Sequence, residues 1–130
     1  MSRPDDLRYA KSHEWVRVSG EEAEVGITDY AVDQLGDLAF VDLPQEGTQV
    51  EAGGSFGEIE STKTVSDLYA PVGGEIVAVN RQLEDNLQLI TDGPFTTGWM
   101  IRIRMGQPGD LDSLMTAAQY AEHVASEEDP

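Results

Sequence analysis

The sequence predicts a small, mainly β fold of the sandwich or flattened-barrel type, with a short N-terminal helix and a C-terminal helix. Three observations carry that reading. Short runs of alternating apolar residues recur along the chain, most cleanly in Trp99–Met105. Gly and Pro clusters such as Gly53-Gly54, Pro71 and Gly73-Gly74 break these runs at close intervals. Helical spacing of apolar residues is confined to a stretch after Thr28 and another after Asp110.

In chain order, residues 1–10 are polar and contain Pro4, and they are expected to lie extended over the surface. Ser12–Val18 alternates from Glu14 onward and reads as a strand; Ser19–Glu22 is a turn and Ala23–Ile27 the return strand. Thr28 is a good N-cap for a helix over Asp29–Leu35, stopped by Gly36, with Tyr30, Ala31 and Leu35 facing the core. Leu38–Leu43 follows as a strand closed by Pro44. A weak internal echo then places short strands on both sides of Lys63: Gly47–Val50 and Ala52–Phe56 before it, Gly73–Val79 and Leu83–Ile90 after it. That echo suggests pseudo-twofold character. The final helix is predicted to begin at Asp110 or Asp112 and to carry Leu111, Leu114, Met115, Ala118, Tyr120, Ala121 and Val124 on its apolar stripe. Trp15, Trp99 and Phe40 read as core. The whole, 1–130, is one domain with its core at about 7–124 and an acidic tail at 125–130, of which Glu127–Pro130 is expected to be frayed.

Composition limits the function classes. The 130 residues suffice for a hydrophobic core without metals or disulfides. There is no cysteine, which removes disulfide and thiol chemistry. A net charge of −17 argues against phosphate-backbone partners and favours a soluble monomer steered towards basic clefts on larger proteins. There is no run of 18 or more apolar residues, so no membrane partner is expected. Met-Ser-Arg-Pro-Asp-Asp has neither a signal core nor a transit-peptide pattern. A bacterial cytoplasm is the expected address, or the mitochondrial matrix for a mature eukaryotic chain.

A catalytic constellation is not evident. Ser12 and His13 are neighbours, which on a strand would point apart; His13 and His123 are far apart in sequence, with no metal-ligand spacing near either; the Gly pairs match no phosphate loop. What stands out is Lys63, one of only two lysines (with Lys11) against six arginines. It lies between a run from Gly57 to Ser61 and another from Thr64 to Tyr69, hence at or near a β-hairpin tip. An amine can be acylated where a guanidinium cannot.

The stretch Glu60-Ser-Thr-Lys63, followed by Ser66-Asp-Leu-Tyr-Ala-Pro71 and Gly74, resembles the lipoyl-attachment region of the glycine cleavage system H protein family. Other segments resemble that family in its order: His13-Glu-Trp15, Gly26–Ala31, Leu35-Gly-Asp37, Phe40–Pro44, Val79-Asn80, Asp92–Phe95 and Gly98-Trp99. The likeness covers about residues 7–124. Biotinyl domains share the fold but usually flank their lysine with Met, whereas Thr62 and Thr64 stand here. Thr64, Leu87, Thr91 and Phe95 depart from the family's commoner residues and affect only details of the loop at 85–95.

The resemblance implies a lipoyl/biotinyl-type flattened barrel and a non-catalytic carrier. Lipoate would be joined by an amide to Lys63. The arm would collect an aminomethyl group at glycine decarboxylase (P protein) and present it to aminomethyltransferase (T protein). Dihydrolipoamide dehydrogenase (L protein) would then reoxidise it. Glu60, Ser61 and Thr62 are candidates for recognition by lipoylating enzymes, though Glu58 and Glu60 also fit simple outward alternation. Ser12, Glu14 and Asp67 are candidates for docking the loaded arm, against the alternative of solvated carboxylates. No metal ligand set is expected. A biotinyl carrier, an unmodified interaction module and a lipoyl donor to other complexes remain open alternatives.

Overall fold

A computed structural model describes residues 4–128. Two open antiparallel sheets form a flattened sandwich. The larger is built from β1 (Arg8–Tyr9), β2 (Glu14–Ser19), β3 (Glu22–Ile27), β5 (Gln49–Val50), β8 (Gly74–Val79) and β9 (Ile101–Met105), in the order β1-β2-β3-β9-β8-β5. The smaller holds β4 (Leu38–Asp42), β6 (Ser55–Ser61) and β7 (Val65–Tyr69), in the order β4-β6-β7. The inward residues of both sheets, among them Val16, Val25, Ile59, Leu68, Ile76, Ile101 and Ile103, interlock in one buried core. Among the described residues no helix is long and apolar enough to cross a membrane.

The first helix, α1, spans Asp29–Leu35 as the caps dictate. Thr28 Oγ1 accepts from the Ala31 amide at 3.3 Å, and Gly36, at φ 77, ends the helix in a left-handed conformation that suits glycine. Of its three expected core residues only Leu35 is buried; Tyr30 and Ala31 are half-covered.

Several expectations are corrected. Leu83–Ile90 is not a strand. It holds two short helices, α2 (Gln82–Asp85) and α3 (Gln88–Asp92), separated at Asn86, which turn Leu83 and Ile90 into the core. The C-terminal helix does not begin at Asp110 or Asp112. Pro108–Ser113 forms a 3-10 turn, and Met115 then runs extended to exchange backbone hydrogen bonds with Tyr9 at 2.7 and 2.9 Å. The helix proper, α4 (Ala117–Glu128), starts at a reciprocal cap: the Gln119 amide donates to Thr116 Oγ1, and the Thr116 amide donates to Gln119 Oε1. Glu127 and Glu128 are therefore helical rather than frayed, while Asp129 and Pro130 lie outside the described residues, as do residues 1–3. Leu7 and Tyr9 are buried, not spread over the surface. With Trp15, Phe95, Tyr120 and Val124 they form a second cluster that seats α4 on the large sheet. Phe40 is 57 % exposed and belongs to the surface.

Trp15 explains a glycine. It pairs with Gly26 across β2 and β3, and a Cβ on Gly26 would come within 2.7 Å of the indole. The ring therefore lies flat over β3 and donates from Nε1 to the Pro94 carbonyl at 2.8 Å. This packing fixes the start of β2, where Glu14 sits.

Candidate functional site

Two features meet along β7. At one end is the hairpin tip, Thr62–Thr64, with Lys63 exposed. The tip is held by Ser61, whose buried hydroxyl accepts from the amides of Lys63 and Thr64, each at 3.2 Å, while its own amide donates to the Thr64 carbonyl at 2.8 Å. Thr62 donates its amide to the Asp37 carbonyl at 3.0 Å, tying the tip to the end of α1. The Lys63 side chain passes over Gly36, where an added Cβ would stand 3.4 Å from Cε. Glu58, Glu60 and Thr62 are exposed around the lysine. Ser61 faces inward, so its hydroxyl shapes the tip and is not part of its outer surface.

At the other end of β7 lies a cavity of about 290 Å³. Ser12 and Glu14, two residues apart, and Asp67, distant from both in sequence, all line it. Its walls are apolar: Ile27 from β3, Leu35 from α1, Ile59 from β6 and Leu68 from β7. Glu14 is only 2 % exposed. One of its oxygens accepts a hydrogen bond from Ser12 Oγ and the other accepts from the Tyr69 amide at 3.2 Å, on the outer edge of β7. Burial pushes the Glu14 carboxyl up to about 7, against the lowering effect of those bonds. Asp67 is exposed at the mouth and accepts from the Tyr69 hydroxyl at 3.3 Å. Its charge raises the Tyr69 phenol above its ordinary value.

The arrangement thus places an exposed, acylable amine at one end of a strand and an apolar pocket with a poised carboxyl at the other. The four-residue step from Lys63 to Asp67 spans about 13 Å of extended chain. Sequence reasoning missed the apolar walls, since Ile27, Leu35, Ile59 and Leu68 look like any other core positions. It also missed His13 and Glu127, which complete the rim. His13 does not sit on a strand beside Ser12: it precedes β2 at φ 76, a conformation histidine tolerates better than most residues.

Comparison with known proteins gives a consistent answer. Residues 7–127 match the family model described as glycine cleavage H-protein. A glycine cleavage system H protein of a Synechococcus species is 54 % identical over 124 residues, covering 95 % of this chain and 96 % of that protein. A probable glycine cleavage system H protein of Haloarcula marismortui is 50 % identical over 121 residues, 93 % of this chain and 95 % of its own length. The crystal structure of a glycine cleavage system H protein from Mycobacterium marinum superposes with a TM-score of 0.88 at 41 % identity, covering 95 % of this chain and 99 % of that one.

Proposed function

The chain belongs to the glycine cleavage H-protein family, and from that premise we propose that Lys63 carries its lipoyl arm and that the Glu14 cavity shelters it. As a member, the chain is a carrier subunit that works with the other components of the glycine cleavage system and is not itself an enzyme. The whole chain serves as one lipoyl-carrier domain. The observation that carries the proposal is the placement of an exposed lysine on a tied-down hairpin tip, one strand's length from a pocket with a buried carboxyl.

Bound lipoate supplies a sulfur pair that cycles between disulfide and dithiol and takes up and releases an aminomethyl group. The chain's own residues do the rest. Lys63 Nζ, exposed, is open to acylation, with Glu60 and Thr62 presented beside it to lipoylating enzymes. Ile27, Leu35, Ile59 and Leu68 offer an aliphatic lining that excludes water from a hydrolysis-prone cargo. Ser12, Glu14 and Asp67 form the polar end. A cationic amine brought there favours the ionised carboxylate, pulling Glu14 down from the raised value that burial alone imposes.

The partners that fit are glycine decarboxylase, aminomethyltransferase and dihydrolipoamide dehydrogenase, met one at a time by a monomer. The −17 charge favours association with basic clefts around their active sites. The address is a bacterial cytoplasm, or a mitochondrial matrix for a eukaryotic chain.

Intact-mass measurement before and after incubation with lipoate ligase, lipoate and ATP tests the attachment. A single lipoyl increment on the peptide holding Lys63, absent in Lys63→Arg, is expected; no increment, or one on Lys11, overturns it. The cavity's role is tested separately by the lifetime of the aminomethyl-loaded carrier. Glu14→Ala and Asp67→Asn are expected to shorten it, and unchanged lifetimes remove the sheltering role while leaving Lys63 untouched.

A further inference from the structure

A second group of chemistry-bearing side chains lies where the last turn of α4 meets the bend before β2. His13 Nε2 stands 2.9 Å from Glu127 Oε2, and His123 Nε2 stands 3.3 Å from Glu127 Oε1. The ligating atoms of all three residues lie within 4.8 Å of one another. His123 and Glu127 are four apart on α4 and so share one face. His13 arrives from the other end of the chain, its ring 5.6 Å from that of His123.

The His13 ring is oriented from behind. Its Nδ1 is 2.7 Å from the Tyr120 hydroxyl, which is 2.6 Å from Thr28 Oγ1, and the Thr28 amide donates to the His13 carbonyl at 3.0 Å. Nδ1 is engaged in either tautomer, which leaves Nε2 as the atom facing His123 and Glu127. Metal-bound imidazoles are held in this way, one nitrogen on the ion and the other on an orienting partner. The backbone holds the ring there at φ 76.

We infer that His13, His123 and Glu127 form a three-ligand site for a divalent transition ion of the zinc type. Two imidazole nitrogens and one carboxylate, without thiolate, suit zinc, cobalt or nickel rather than calcium or magnesium, which take oxygen shells. Ligand atoms about 2.0–2.2 Å from one tetrahedral ion are separated by roughly 3.4 Å. The two contacts to Glu127, 2.9 and 3.3 Å to its two separate oxygens, lie near that spacing, and one of those oxygens serves as the ligand. The remaining gap closes by rotation of His123, whose side chain is 23 % exposed and whose Nε2 exchanges the Lys11 carbonyl at 3.1 Å for the ion. The ion takes the place of a proton on the imidazole nitrogen, which leaves to solvent. A fourth position stays open. The site clips the end of α4 to the bend before β2, on the rim that His13 and Glu127 share with the Glu14 cavity. It does not depend on Lys63 or on any modification of it.

The test uses the full, unlipoylated chain, stripped with a chelator and titrated with zinc by calorimetry and with cobalt by visible absorption. One saturable ion per chain is expected, with cobalt bands of nitrogen ligation and a melting temperature that rises with one equivalent of zinc. His123→Ala and Glu127→Gln each alter a side chain on the outward part of α4. Each is expected to weaken binding at least about tenfold, since even the orienting partners of a metal ligand are worth about 10–100-fold. Retained far-UV circular dichroism shows that both variants remain folded. Several weak ions bound equally by the parent chain and both variants would mean adventitious binding to surface carboxylates and would overturn the site, as would the absence of any saturable signal.

Discussion

The hairpin tip and the Glu14 cavity sit at opposite ends of one strand and are built in opposite ways. The tip is made almost wholly by Ser61–Thr64, whose amides and hydroxyl satisfy one another, with one outside tie to Asp37. The cavity is assembled from the bend before β2, β3, α1, β6, β7 and the end of α4. Presenting a lysine is thus a local matter, whereas receiving the proposed arm would depend on the packing of the entire domain. Changes at the tip are expected to alter modification with little effect on folding, and changes at the cavity to do the reverse.

The largest separation of the two comes from Lys63→Arg. It should abolish lipoyl attachment entirely by mass spectrometry while moving unfolding free energy by no more than about 0.5 kcal/mol, as exposed substitutions do. A larger stability change would show that the lysine also supports the fold.

Glu14→Gln probes the other end. The folded carboxyl titrates at about 7 against 4.5 for the ordinary group, so the folded state holds its proton more tightly than the unfolded chain. The stability this contributes is fully present below pH 4.5 and is lost as pH rises through 7. The variant lacks that dependence. Between pH 4.5 and 8, in chelator-containing buffer, its stability relative to the parent should improve by about 3 kcal/mol in urea titrations, from the pKa difference. Parallel pH profiles would place Glu14 in a wetter site than its burial implies.

Gly26→Ala tests how far the cavity depends on remote packing. Its Cβ meets the Trp15 ring at 2.7 Å, next to Glu14, and the displaced indole should cost about 2 kcal/mol. Attachment at Lys63 should proceed normally in the folded fraction. Ser61→Ala should cost less than Gly26→Ala, about 1 kcal/mol, because it removes one hydroxyl from a turn that keeps its backbone bond. Faster amide exchange confined to Lys63 and Thr64 would confirm that the tip is an independent unit.

The same division explains what could be read from the sequence. The Lys63 hairpin, the Thr28 and Gly36 caps and the strand before Met105 rest on neighbours within a few residues, and the structure places them where those neighbours dictate. The start of α4 had a local signal too, Thr116-x-x-Gln119, but the apolar stripe running back to Leu111 obscured it. Ser12, Glu14 and Asp67 do meet in one cavity, yet their meeting depends on β2 laying its first residue against the free edge of β7, which no short window contains. Phe40 was misjudged because strand alternation identifies two faces without telling which one is covered. His13, His123 and Glu127 were the hardest to see, since an i,i+4 pair in a surface helix is ordinary until the fold brings a third member from the opposite end.

The bond from the Thr62 amide to the Asp37 carbonyl has a kinetic consequence. For the lipoyl arm proposed on Lys63, a root bolted to the end of a helix would not swing with its base, so the volume searched by the free end would be fixed by the arm alone. Exchange between the pocket and a docked partner then becomes a contest of two local concentrations, each set by distance from one stationary point. Residence of the proposed arm in the pocket would be governed by its wall contacts rather than by loop motion. Cutting that single backbone anchor would loosen the leash without altering either destination.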